Sequence, residues 1–150
     1  MPHPVLTINS LLIAAWNANR HLNHKSELIQ FLHDTNTDIM LISETHFTNK
    51  TLFKIPKYTV YHCNHPDGSA HGGAAVIIRV TLRHCETPPY RTENIQAAVL
   101  NIDVQPWSFN IAALYSPPRH NLRTDEYDNF LHHLGTKFIV GGDWNAKHTN

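Results

Sequence analysis

The chain has 150 residues, the length of one domain, with 41% hydrophobic and 16% charged residues, a composition that excludes a disordered tail and allows a core of its own. Twelve Lys+Arg balance twelve Asp+Glu for a net charge of +0, so no overall positive field holds nucleic acid unspecifically, and any such partner must be gripped locally. Two cysteines allow at most one disulfide, no secretory leader pattern precedes them, and the longest apolar runs fall far short of the ~20 residues of a membrane span, so the expectation is an intracellular protein with no membrane partner.

Ser10 to Trp16 is a short apolar run ending in Asn17-Ala18-Asn19-Arg20, as in a central strand buried on both faces. Asn23 is a candidate N-cap for a helix whose Leu28, Ile29 and Leu32 share one face. Thr35 to Asp38 breaks that helix, and Ile39 to Ser43 is a second buried run, so the first unit reads as a parallel β-α-β. Tyr58 to Cys63 and Gly73 to Val80 are β-rich and joined by a turn-rich loop, which suits an antiparallel pair. Ala98 to Val104 alternates apolar with polar, and Pro106 turns the chain into Trp107 to Tyr115, a meander with one wet face. Thr124 caps a helix with Tyr127, Phe130, Leu131 and Leu134 on one face and Gly135 as its stop; Lys137 to Val140 is the last buried run. No repeat or linker interrupts residues 1–150, which read as one domain of mixed α/β class.

Polar side chains gather after the strands. Asn17 and Asn19 follow the first, Glu44 the second, Tyr115 closes the meander, and Asp143 and Asn145 follow the last. Ligands in α/β sheets bind beyond the carboxyl ends of strands, so these residues can converge on one rim, although each taken alone reads as the start of a loop. Glu44, behind four apolar residues, is a hard oxygen ligand suited to Mg²⁺, with Mn²⁺ as an alternative. Gly141 and Gly142 allow close approach of backbone to a ligand, and the i, i+2 spacing puts Asp143 and Asn145 on one side of an extended chain. Asp143 is able to orient a water, Asn145 to donate to a phosphate oxygen, and Tyr115 to donate to developing negative charge.

Taken together, Trp16-Asn17-Ala18-Asn19, Leu41-Ile42-Ser43-Glu44-Thr45, His71-Gly72-Gly73-Ala74-Ala75-Val76, Leu114-Tyr115-Ser116-Pro117-Pro118 and Gly141-Gly142-Asp143-Trp144-Asn145-Ala146-Lys147-His148 resemble, in order and rough spacing, the endonuclease/exonuclease/phosphatase superfamily. Within it the chain is most similar to the apurinic-type endonuclease domain of non-LTR retrotransposons. The resemblance implies a two-sheet α/β sandwich and Mg²⁺-dependent, DNA-nicking phosphodiester hydrolysis. It implies metal binding by Glu44, with a metal-shell position at Asn19 that is acidic in many relatives. Asp143 and Asn145 would position the attacking water and the phosphate, Asn17 would support Asp143, and Tyr115 would touch the scissile phosphate. Arg20 and His148 are the candidate substrate contacts, with Lys50, Arg79, Arg119 and Arg123 as further basic loop residues.

The resemblance also implies a late Ser-Asp-His motif, and none occurs in this sequence. The expectation is therefore a truncated domain, incomplete on its C-terminal side, with weak or no activity by itself. The alternative is a non-catalytic nucleic-acid-binding or interaction remnant of the same fold. A reverse transcriptase is the expected neighbour in a full-length element, and access to the nucleus is expected, although no basic import cluster is present. Thirteen histidines are the one compositional oddity. A zinc site from His62-Cys63, His65 and His84-Cys85 is disfavoured, because adjacent strand residues point to opposite faces.

Overall fold

The structure, a computed structural model, describes residues 8–19, 22, 24–119 and 122–146. Among the described residues nine strands and two helices follow one another as β1 (Ile13–Asn17), α1 (Lys25–Thr35), β2 (Ile39–Ser43), β3 (Tyr58–Cys63), β4 (Ala74–Arg79), β5 (His84–Glu86), β6 (Tyr90–Arg91), β7 (Gln96–Val104), β8 (Trp107–Tyr115), α2 (Thr124–Leu134) and β9 (Phe138–Asp143). One sheet has the order β1-β2-β4-β3, the other β5-β7-β8-β9 with β6 also on β7. Each sheet contains one parallel pair joined by a helix: β1 with β2 through α1, and β8 with β9 through α2.

Strict alternation along the strands builds four layers. Ile39 and Leu41 of β2, Val76 and Ile78 of β4, Leu100 and Ile102 of β7 and Ile111 and Ala113 of β8 meet between the sheets. Their neighbours point outward. Met40, Ile42, Ala75 and Ile77 pack under Leu28 and Leu32 of α1, and Ala97, Val99, Ala112 and Leu114 pack under Phe130 and Leu134 of α2. The tip of the meander is wetter, at Asn101 and Asp103, but from Gln96 to Leu100 every residue is buried. The wet face expected from the alternation is thus covered, because α2 lies on it.

The two runs expected to be buried at the ends of the chain are edge strands. β1 has only β2 beside it and grows exposed toward Asn17; β9 has only β8, and Phe138 and Ile139 are 38% and 43% exposed. An apolar run shows that a segment is a strand and not how many neighbours it has. At α1 the N-cap position is His24, and the expected cap Asn23 lies outside the described residues. At α2 the cap is Arg123, one residue before the expected Thr124, and Glu126 Oε2 accepts its backbone N–H at 2.8 Å. The short strands β5 and β6 lack the length to give a periodic signal.

Candidate active site

Four strand ends bring their polar residues to one rim of the sandwich. On the inner faces of the edge strands, a Cβ placed on Gly141 would lie 3.5 Å from that of Ala15; two residues further along each strand, Asn17 meets Asp143. Asn17 Nδ2 donates to Glu44 Oε1 at 3.0 Å and to Asp143 Oδ2 at 2.9 Å. Its Oδ1 accepts the Asn19 N–H at 3.0 Å, which fixes the amide with both hydrogens aimed at the two carboxylates. Asn19 thus enters the site through its backbone.

The backbone around this rim is unusual. Glu44, Asn19, His46 and Asn145 have φ of 56°, 37°, 54° and 43°, a left-handed region that non-glycine residues seldom adopt and that concentrates where surrounding structure over-determines it. The left-handed turn at Asn145 replaces the extended geometry expected after Asp143. The Asn145 N–H closes back on Asp143 Oδ1 at 2.9 Å, and its Nδ2 donates to the Ser116 carbonyl at 2.7 Å.

Gly141 and Gly142 let neighbouring strands approach closely. A Cβ on Gly141 would meet Leu41 Cδ1 at 2.7 Å, and one on Gly142, at φ +150°, would stand 1.9 Å from the Leu114 carbonyl oxygen. The pair lets β9 lie against β2 and β8, which delivers Asp143 opposite its register partner Tyr115.

Tyr115 is 9% exposed. Burial, and then the negative charges of Glu44 and Asp143, raise its pKa, so at neutral pH it is a hydroxyl donor. Among the described residues neither Glu44 nor Asp143 has a Lys or Arg partner. His46 stands beside Glu44: its Nε2 lies 3.9 Å from Glu44 Oε2, is buried and has no hydrogen-bond partner, while its Nδ1 faces the Ala70 carbonyl at 3.1 Å. Two carboxylates sharing one amide, beside an orphaned imidazole nitrogen, fit a hard divalent cation, which takes one or two protein carboxylates and keeps several waters. His46 was not among the sequence candidates, although it stands two residues after Glu44. A cleft of about 550 Å³ opens next to Tyr115, lined also by His46, His65, His71, Glu93 and Arg119. Of the basic residues considered, Arg119 lines this cleft, whereas Arg79 is tied to Asp38 and Asn36, and Arg123 to Asp125. Arg20 and His148 lie outside the described residues. Cys63 is buried and Cys85 exposed, and both are free.

A two-sheet sandwich with paired carboxylates at the strand ends defines a class. The model of the Endonuclease/Exonuclease/phosphatase family matches residues 14–150, and the chain belongs to that family. Among curated proteins it is similar to the RNA-directed DNA polymerase from mobile element jockey of Drosophila melanogaster, 38% identical over 143 residues, covering 95% of this chain and 16% of that protein. It is likewise similar to the probable RNA-directed DNA polymerase from transposon X-element of the same organism, 37% identical over 139 residues, covering 92% of this chain and 15% of that protein. The chain thus spans a small part of these relatives. Among solved structures it shares its fold with the endonuclease domain of TRAS1, a telomere-specific non-LTR retrotransposon, at TM-score 0.72 and 22% identity over 93% of this chain and 61% of that one. The AP endonuclease LMAP from Leishmania major matches at TM-score 0.62 and 17% identity over 85% of this chain and 53% of that one. Among the described residues no helix is long and apolar enough to cross a membrane.

Proposed function

We propose that the rim is the site of Mg²⁺-dependent hydrolysis of a DNA phosphodiester, with Mn²⁺ able to replace Mg²⁺. The observation that carries this reading is the single Asn17 amide holding Glu44 and Asp143 together next to a protonated Tyr115. Glu44 and Asp143 are the residues to hold the cation, which when bound neutralises phosphate charge and lowers the pKa of a water. Asp143 is held at both oxygens, by the Asn17 amide and the Asn145 N–H, and its remaining lone pairs accept a water proton. Asn17 is a positioning residue. The Asn145 amide, anchored on the Ser116 carbonyl, keeps one N–H for a phosphate oxygen, and the Tyr115 hydroxyl donates to another. Arg20 and His148 are proposed as contacts to flanking phosphates, and Asn19 as an outer metal-shell residue.

Turnover by these 150 residues on their own is proposed to be weak, because they contain no Ser-Asp-His motif and a catalytic set acting as a unit loses most of its rate with one member. The same observation favours the second reading, a domain that grips nucleic acid without cutting it. Likeness to polymerases of mobile elements supports a working place beside a reverse transcriptase, with access to nuclear DNA. Nicking of supercoiled plasmid tests the first reading. We expect slow, Mg²⁺-dependent nicking that EDTA stops and that Glu44→Ala and Asp143→Ala abolish. Nicking that survives both substitutions overturns the assignment, and salt-sensitive DNA binding with no nicking selects the second reading.

A further inference from the structure

The loop between β3 and β4 carries three ligand-type side chains that the rim does not use. His65, Asp67 and His71 each place one ligand atom so that the three lie within 4.8 Å of one another. His65 Nδ1 is 2.9 Å from Asp67 Oδ1, and His71 Nε2 is 3.7 Å from Asp67 Oδ2. The two imidazoles lie against each other with centroids 3.8 Å apart. Gly68, with φ +74°, folds the loop back on itself and donates its N–H to the His65 carbonyl at 2.9 Å.

Ser69 supplies the support that ligands of a metal need. Its N–H and hydroxyl both donate to Asp67 Oδ1 at 2.8 Å. With its proton committed to Asp67, the Ser69 oxygen is left to accept from His71 Nδ1. That bond sets the tautomer in which His71 Nε2, the atom turned toward Asp67, carries a free lone pair. Two imidazoles and a carboxylate are the donor set of a borderline transition ion, unlike the hard oxygens of Glu44 and Asp143.

We propose that His65, Asp67 and His71 bind one Zn²⁺-type ion, with its remaining position open to water or substrate. His65 and His71 line the same cleft as Tyr115 and Arg119. The ion pins this loop as one wall of the cleft and adds positive charge there.

Titrating Co²⁺ into the metal-free chain, with Mg²⁺ in excess, tests this through the visible ligand-field band. We expect a band that saturates at one equivalent, is displaced by Zn²⁺, persists in Glu44→Gln, and disappears in both His71→Ala and the isosteric Asp67→Asn. Ser69→Ala is expected to weaken binding by about 10- to 100-fold. Absence of the band in the wild-type chain overturns the proposal. So does a band that His71→Ala leaves intact or that Glu44→Gln removes, with folding checked by circular dichroism in each variant.

Discussion

At the scale of single residues, Asn17 ties the rim together. Its amide makes two bonds to charged acceptors, and bonds of that kind are each worth about 1.5–3 kcal/mol. Asn17→Ala is therefore expected to lower the nicking rate by about 10- to 100-fold and the melting temperature with it, checked by plasmid nicking beside thermal unfolding. Tyr115 offers a test that needs no turnover. Glu44 and Asp143 add to the rise that burial imposes on its pKa, so Glu44→Gln removes one negative charge and must lower it. Alkaline difference absorbance of tyrosinate between the two proteins reads the shift, and coincident titrations contradict the placement of Tyr115. Glu44, Asp143, Asn17 and Tyr115 were legible as polar residues closing apolar strands. His46 was not, because its part depends on a left-handed turn and on a carbonyl 24 positions away, and neither leaves a mark in a single sequence.

At the scale of elements, each half of the molecule is built on a parallel pair and its crossover helix, and the rim lies where both pairs end. β2, β3 and β8 stand at the boundaries that their apolar runs and turn residues dictate. What periodicity left out was neighbourhood: β1 and β9 proved to be edges, and the alternating meander proved covered by α2. The glycine pair of β9 shows how an element delivers a side chain. Gly142→Ala would drive a Cβ into the Leu114 backbone at a φ that L residues avoid, whereas at Gly141 the obstacle is the flexible end of Leu41. Urea unfolding should show Gly141→Ala costing about 1–3 kcal/mol, as overpacking does, and Gly142→Ala costing more and weakening cation binding with it. Equal, small losses would contradict the register that sets Asp143 opposite Tyr115.

For the molecule as a whole, the edge strands β1 and β9 lie on one side, and Leu12, Trp16, Phe138 and Ile139 are 48%, 36%, 38% and 43% exposed there. Open strand edges with apolar side chains invite pairing between chains, and a net charge of +0 does nothing to oppose it. Concentration-dependent association is expected by analytical ultracentrifugation, and Ile139→Lys should reduce it while leaving stability within about 0.5 kcal/mol. A monodisperse wild-type chain at high concentration would contradict this. Neutral net charge first read as an argument against nucleic acid. In the folded molecule it accords with the proposed local grip at the rim, where among the described residues neither carboxylate has a lysine or arginine partner.

Cation binding at that rim can be read by electron paramagnetic resonance of added Mn²⁺. We expect a site that Glu44→Gln and Asp143→Asn each weaken by at least about tenfold, that Mg²⁺ displaces, and that His71→Ala leaves unchanged. Equal Mn²⁺ binding by the wild-type chain and both carboxylate variants would contradict it.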